Sequence, residues 1–406
     1  MSNFRKQIIN VFGLMIFVAF FAYGGLVGAS EKQEVGVTKN KIVVGMTSDF
    51  TGPASIIGNG LSQAIKLVFS KVNDEGGIYG RKLELITMDD HFSVPRTVAN
   101  YQKMVRGKQV MLLAGVCGSI NTMALSKLLK EDGVPLIGPV ALATVIGDPP
   151  KRYIFPILTT WKNQAMVLVD YVMNDLKPKG KVVFGVIGED GETLRDGAAG
   201  IRQQVEKYGI LPEEVVVQGY DRYASDLSGP VLKFKRAGVT HGLIVSTAKA
   251  AAAILMEMQK IQWDPYVFGL DISAERITLK LAGTAATYGK KYKVAKVKID
   301  ELGDVDGAKE YRALIAKYNP DLEPSPSGMH GLAVGKIIVE GLKRAGKNPT
   351  REKFVDALET FDNFDTGAVS PLTYGPGRRA GSDGAYILEA KEGSNWNVLT
   401  GWRFPK

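Results

Sequence analysis

The chain has 406 residues, 45% of them apolar and 23% charged, with a formal net charge of +9 and one cysteine. That length and apolar fraction support two or three hydrophobic cores. A lone Cys117 rules out an internal disulfide, and the mixing of Lys and Arg with Asp and Glu leaves no long basic stripe of the kind that binds nucleic acid. At the start, Arg5 and Lys6 precede an apolar run from Ile8 to about Gly28 that closes on Val27-Gly28-Ala29. A basic lead, an apolar core and small residues at −3 and −1 predict a secretory signal over 1–29, cleaved after Ala29. The alternative is an uncleaved anchor, because about 20 apolar residues suffice to span a bilayer.

Beyond the leader, short apolar runs alternate with segments of helical periodicity. Strands are predicted at Ile42–Met46, Leu83–Met88, Met111–Val116, Pro135–Ile137, Val182–Ile187, Val215–Val217, Gly242–Ser246 and Tyr266–Gly269. Helices are predicted at Leu61–Val72, Arg96–Arg106, Thr122–Lys130, Gln164–Leu176, Leu194–Tyr208, Leu227–Ala237 and Lys249–Ile261, and another over Leu332–Ala345 after a loop at Pro320–Ser327. Strands separated by helices of this length imply βαβ units, hence parallel sheets covered on both faces. Unbroken apolar strands such as Met111–Val116 agree, since a strand buried on both faces need not alternate.

Three blocks carry a family signal: Lys41-Ile-Val-Val-Gly-Met-Thr-Ser-Asp-Phe-Thr-Gly-Pro-Ala54, Asn73-Asp-Glu-Gly-Gly-Ile-Tyr-Gly-Arg81, and Gly115-Val-Cys-Gly-Ser119. Together they resemble the extracytoplasmic solute-binding proteins that serve ABC importers of branched-chain amino acids and related molecules. The resemblance runs over roughly 40–404 and implies an α/β, two-lobe type I periplasmic binding protein, each lobe a mostly parallel sheet with helices on both faces. It implies three hinge crossings, near Phe155–Thr159, Gly289–Val294 and Tyr374–Ser382. Lobe 1 is then 40–157 with 292–376, and lobe 2 is 158–291 with 377–406. Capture of a ligand without turnover, no cofactor, a periplasmic location and docking on an inner-membrane permease–ATPase complex are implied with it.

In an α/β lobe, ligands sit beyond the carboxyl ends of the strands, where helix N-termini present free N–H groups. That selects Gly118 and Ser119, which follow a strand and open a helix; Ser119 is either a ligand contact, as in the family, or only an N-cap. It also selects the turn with Val140, Ala141 and Leu142, where the family's threonine is replaced by Leu142, with Thr144 close by. Asp271 aligns with the acidic residue that pairs with a ligand ammonium, the other reading being a cap on a helix beginning near Ala274. Leu194 and Thr247 stand near positions that commonly carry tyrosine, and Ile57 replaces an aromatic. The pocket implied is more apolar and poorer in hydroxyls than in amino-acid-binding relatives. Trp161 and His330 are further wall candidates.

Other motifs carry less. Gly185-Val-Ile-Gly-Glu-Asp-Gly191 has the wrong glycine spacing for a dinucleotide site. His91, His241 and His330 are too dispersed for zinc. Asp89-Asp90 reads as a turn and capping cluster in preference to a metal or acid–base site, and Arg378-Arg379 as solvated surface in preference to a cleft mouth or a permease-docking pair. The ligand expected is amino-acid-like or a hydrophobic carboxylate. The alternatives are a binder of aromatic or aliphatic acids or amides, and a sensor feeding a signalling receptor.

Overall fold

The computed structural model describes residues 34–406 except Lys108 and Arg222, so the expected leader lies outside the described residues. Among the described residues, twelve strands form two sheets. The first contains β1 (Lys41–Ser48), β2 (Lys82–Asp89), β3 (Leu112–Ala114), β4 (Leu136–Ile137) and β5 (Ile154–Phe155), all parallel, in the order β2-β1-β3-β4-β5. The second contains β6 (Phe184–Glu189), β7 (Val216–Tyr220), β8 (His241–Val245), β9 (Tyr266–Gly269), β10 (Lys293–Lys296), β11 (Tyr386–Lys391) and β12 (Asn395–Val398). Its order is β12-β11-β10-β9-β8-β6-β7. Pairing is parallel from β7 to β10, and β11 and β12 add an antiparallel edge. Reading β6 as the first strand, the second sheet winds in the same order as the first.

The helices are α1 (Ser55–Asp74), α2 (Val94–Tyr101), α3 (Ser119–Asp132), α4 (Trp161–Tyr171), α5 (Glu192–Val205), α6 (Ser228–Arg236), α7 (Ala248–Lys260), α8 (Arg276–Ala282), α9 (Asp306–Tyr318), α10 (Pro326–Ala345) and α11 (Arg351–Leu358). Successive strand residues face opposite sides, so each sheet feeds two cores. In the first, Leu112 and Ala114 join Leu61 and Ile65 of α1 and Leu332 of α10, while Leu113 joins Tyr101, Leu125 and Leu129 on the other face. In the second, Val186 and Leu243 pack with Ile201 of α5, while Ile187 and Ile244 pack with Phe234 of α6 and Leu255 of α7. Small residues let α1 and α10 meet closely: a Cβ on Gly331 would lie 2.4 Å from the Leu61 carbonyl oxygen.

Several boundaries differ from expectation. Helix α10 starts at Pro326 instead of Leu332, because the Ser325 hydroxyl accepts from the Gly328 N–H and proline suits the first turn. Helices α9 and α11 and strands β5, β10, β11 and β12 were not anticipated. Lys293–Lys296 was expected to straddle the second crossing and open the 292–376 segment of lobe 1. It pairs instead with β9 and β11, so the chain leaves the second sheet only after Lys296. Arg379 is not solvated: it is 1% exposed, its guanidinium stacks on Phe155 and pairs with Glu359, and Nε donates to the Arg152 carbonyl at 3.1 Å.

The segments passing between the sheets are tied to each other. Thr159 Oγ1 donates to the Gly384 carbonyl at 2.6 Å and lies 3.0 Å from Ser382 Oγ, which also meets Ser370. The Ile299 N–H donates to the Ala368 carbonyl, and Tyr386 OH to the Lys298 carbonyl at 2.8 Å.

Candidate functional site

A cleft of about 930 Å³ lies between the two sheets at the carboxyl ends of their strands. One wall comes from the first sheet: Pro53, Ala54, Ile56, Ile57 and Leu61 at the start of α1, Val140 and Leu142 after β4, and Pro326, Ser327 and His330 of α10. The other comes from turns after β8, β9 and β10: Thr247 and Ala248, Asp271, Ile272 and Ala274 to Ile277, and Lys296, Lys298, Asp300 and Glu301, with Leu388 and Trp396 at the edge. Trp161, the first residue of α4, closes the back near the crossings.

Asp271 is the electrostatic centre of the second wall. Its backbone N–H donates to Gln164 Oε1 at 2.9 Å, which fixes the turn after β9 against α4. Its carboxylate faces Lys298 Nζ at 2.5 Å and Lys296 Nζ at 3.6 Å and accepts from the Val297 N–H at 3.2 Å. Burial alone raises a carboxyl pKa, but the ammonium groups of Lys298 and Lys296 outweigh it and hold Asp271 at about 2. Burial likewise opposes the charge on Lys296, yet Asp271 and Glu275 push its pKa above the usual lysine range. The neighbouring Arg276 pairs with Asp300 at 2.7 Å and Glu301 at 2.9 Å.

On the apolar side His330 is 2% exposed, with Nε2 2.8 Å from the Gly138 carbonyl oxygen. Burial holds its pKa down at about 4, against the smaller raising effect of that hydrogen bond. The ring is therefore neutral near pH 7, when it adds shape rather than charge. Cys117 is buried and its thiol is pushed up to about 12 by that burial, so a thiolate is disfavoured there.

Of the residues expected at the site, Val140, Leu142, Thr247 and Asp271 line the cleft, as do Ile57, Trp161 and His330. Gly118, Ser119, Ala141 and Leu194 are not among the lining residues. Gly118 is itself the cap of α3, at φ +98, with the Phe92 ring against it, so the Ser119 hydroxyl serves neither as a cap nor as a wall. Ala141 turns into the core beneath β3 and β4, and Leu194 packs inward from α5. Nor does Asp271 cap a helix: Glu275 precedes α8, and the Asp271 carboxylate is held by lysines. Lys296, Lys298, Ile272, Ile277 and Trp396 were not anticipated. The signal for the lysines was present, because Lys296 and Lys298 stand two apart at the end of an extended run and so share a face.

Comparison with known proteins agrees with this architecture. The family model described as periplasmic binding protein matches residues 41–395. A Leu/Ile/Val-binding protein homologue of Brucella melitensis is 24% identical over 82% of this chain and 87% of its own. Among solved structures, a fatty acid ABC transporter substrate-binding protein from Thermomonospora curvata superposes with a TM-score of 0.78 at 21% identity, over 92% of this chain and 95% of its own. A branched-chain amino acid ABC transporter protein from Thermus thermophilus with bound valine gives 0.74 at 20% identity, over 91% and 97%. With two like-wound α/β lobes, a cleft at their strand ends and a family match spanning most of its length, this chain belongs to the periplasmic binding proteins, a family of solute binders and not of enzymes.

Proposed function

We infer that this chain is the exported solute-binding component of an ABC importer, and that it captures a small, largely apolar ligand between its two lobes. The cleft carries this reading: it has the roughly 300–1,000 Å³ size of small-molecule sites, and its walls come from two lobes joined by narrow crossings. Similarity to proteins described as serving fatty acid and branched-chain amino acid ABC transporters supports the importer role and a ligand with an apolar body. The expected signal over 1–29 supplies the route to the periplasm. Ligand first meets Ile57, Val140 and Leu142; rotation about the crossings then brings the turn at Asp271 over it. Closure is favoured only by the contacts that the ligand gains in the closed state, and the closed form is the one a permease–ATPase complex receives.

A thermal-shift screen of leucine, isoleucine, valine, short aliphatic acids, aromatic acids and amides tests this. Ligand at a hundredfold excess over its Kd stabilises the native state by about 2.7 kcal/mol. A shift with chemically unaltered ligand recovered afterwards is the expected result. Conversion of the ligand to a product would overturn the reading.

A further inference from the structure

We propose that Lys298 reads the polar end of the ligand, and that this end is a carboxylate with no ammonium beside it; the inference rests on the solute-binding reading above. Every carboxylate lining the cleft already faces a cation. Asp271 meets Lys298 and Lys296, Glu275 meets Lys296 at 3.3 Å, and Asp300 and Glu301 both meet Arg276. A ligand ammonium entering here meets carboxylates that already share a cation, and it approaches two lysines and an arginine.

The cations differ in how fully they are engaged. Arg276 is forked across Asp300 and reaches Glu301. Lys296 is 5% exposed at its side chain and is surrounded by Asp271, Glu275 and the Ala274 carbonyl oxygen. Lys298 Nζ carries three N–H donors, and Asp271 is the one acceptor it meets among the described residues. Its side chain is 12% exposed, and the residue lines the cleft. The residue is also well positioned. Its carbonyl accepts from Tyr386 OH, its backbone bridges to Val369, and Asp271 holds its ammonium in place.

Two N–H donors on a charged, mostly buried nitrogen suit a carboxylate, because hydrogen bonds between charged groups are shorter and stronger than those between neutral ones. The rest of the cleft, from Ile57 and Leu142 to Trp161 and Ile272, offers apolar surface for the ligand's body. The ligand class is therefore an apolar monocarboxylate, aliphatic or aromatic.

Calorimetric titration of the purified protein with leucine, isocaproate and isocaproamide compares one carbon skeleton with three polar ends, and octanoate extends the tail. Isocaproate or octanoate is expected to bind at least about tenfold more tightly than leucine and isocaproamide. Lys298→Met should lower carboxylate affinity by at least about tenfold while leaving the amide unchanged, and Lys298→Arg should keep most of it. The wild-type comparison stands even if Lys298→Met folds poorly. Leucine binding at least as tightly as isocaproate, or carboxylate affinity indifferent to Lys298→Met in a folded variant, overturns this inference and leaves the solute-binding reading intact. Failure of all four compounds to bind counts against both.

Discussion

Across the cleft, the wall from the first sheet runs through Pro53, Ile56, Ile57, Leu61, Val140 and Leu142, whereas the wall from the second gathers Asp271, Glu275, Arg276, Lys296, Lys298, Asp300 and Glu301. The two sheets wind in the same order, so topology does not set this contrast. It arises from which turns reach the cleft. The first sheet contributes an apolar helix start after β1 and an apolar turn after β4; the second contributes an acidic turn after β9 and a lysine-bearing crossing after β10. One wall supplies area, at about 25 cal/mol for each Å² of apolar surface removed from water. The other supplies direction, through charges that are mutually paired before any ligand arrives.

The sharpest way to break that contrast is Asp271→Ala. It leaves Lys296 and Lys298 without the carboxylate they share, in a site where that carboxylate is 5% exposed. Stripping one partner from a buried ion pair costs about 3–5 kcal/mol, to be read from urea unfolding. A loss below about 1 kcal/mol would show that the charged wall is not held together by this residue.

Acid separates the two walls next. The native pKa of His330 lies at about 4, below the roughly 6.5 of an unfolded histidine, so the unfolded chain takes up the proton first. Its contribution is complete above pH 6.5 and declines as pH falls toward 4, by about 3 kcal/mol. Asp271 has the same sign lower on the scale: its contribution is complete above about pH 4 and is lost only as pH falls through about 2. Unfolding free energies between pH 7 and pH 4 should therefore fall more steeply for the wild type than for His330→Gln. Parallel slopes would sink the assignment of a neutral buried ring.

The smallest effect on folding is expected at Ile56, which is 82% exposed and lines the apolar wall. Ile56→Ser should move stability by no more than about 0.5 kcal/mol yet weaken binding of an apolar ligand severalfold. Unchanged affinity would place Ile56 beyond the ligand's reach.

How much of this was legible in the sequence depends on the range of the interaction. Strands such as β1 and β8 were readable because each holds an unbroken run of apolar residues and glycine, at 42–46 and 242–245, the mark of burial on both faces. Strand β10 was not, since Lys293 and Lys296 in a four-residue run read as surface. They are buried because Glu389 and Asp271 meet them from distant parts of the chain. Asp271 itself was legible as a turn carboxylate after β9; its pairing with lysines 25 and 27 residues on was not. At the turn after β4 the error was one of facing: Val140 and Leu142 look into the cleft while Ala141 between them looks into the core. Arg379 was misread for the same reason as β10, its partner Glu359 being out of view in a local pattern.

The hydroxyls at the crossings have a fixed polarity. Thr159 has one hydroxyl hydrogen and gives it to the Gly384 carbonyl, so Ser382 must donate to Thr159 and Ser370 to Ser382. The result is a one-way relay through the segments that join the two sheets, in which no member can reverse without reversing the next. Removing Ser370 or Ser382 therefore disturbs the same chain of donors, and the cost of removing both should be less than the sum of the separate costs.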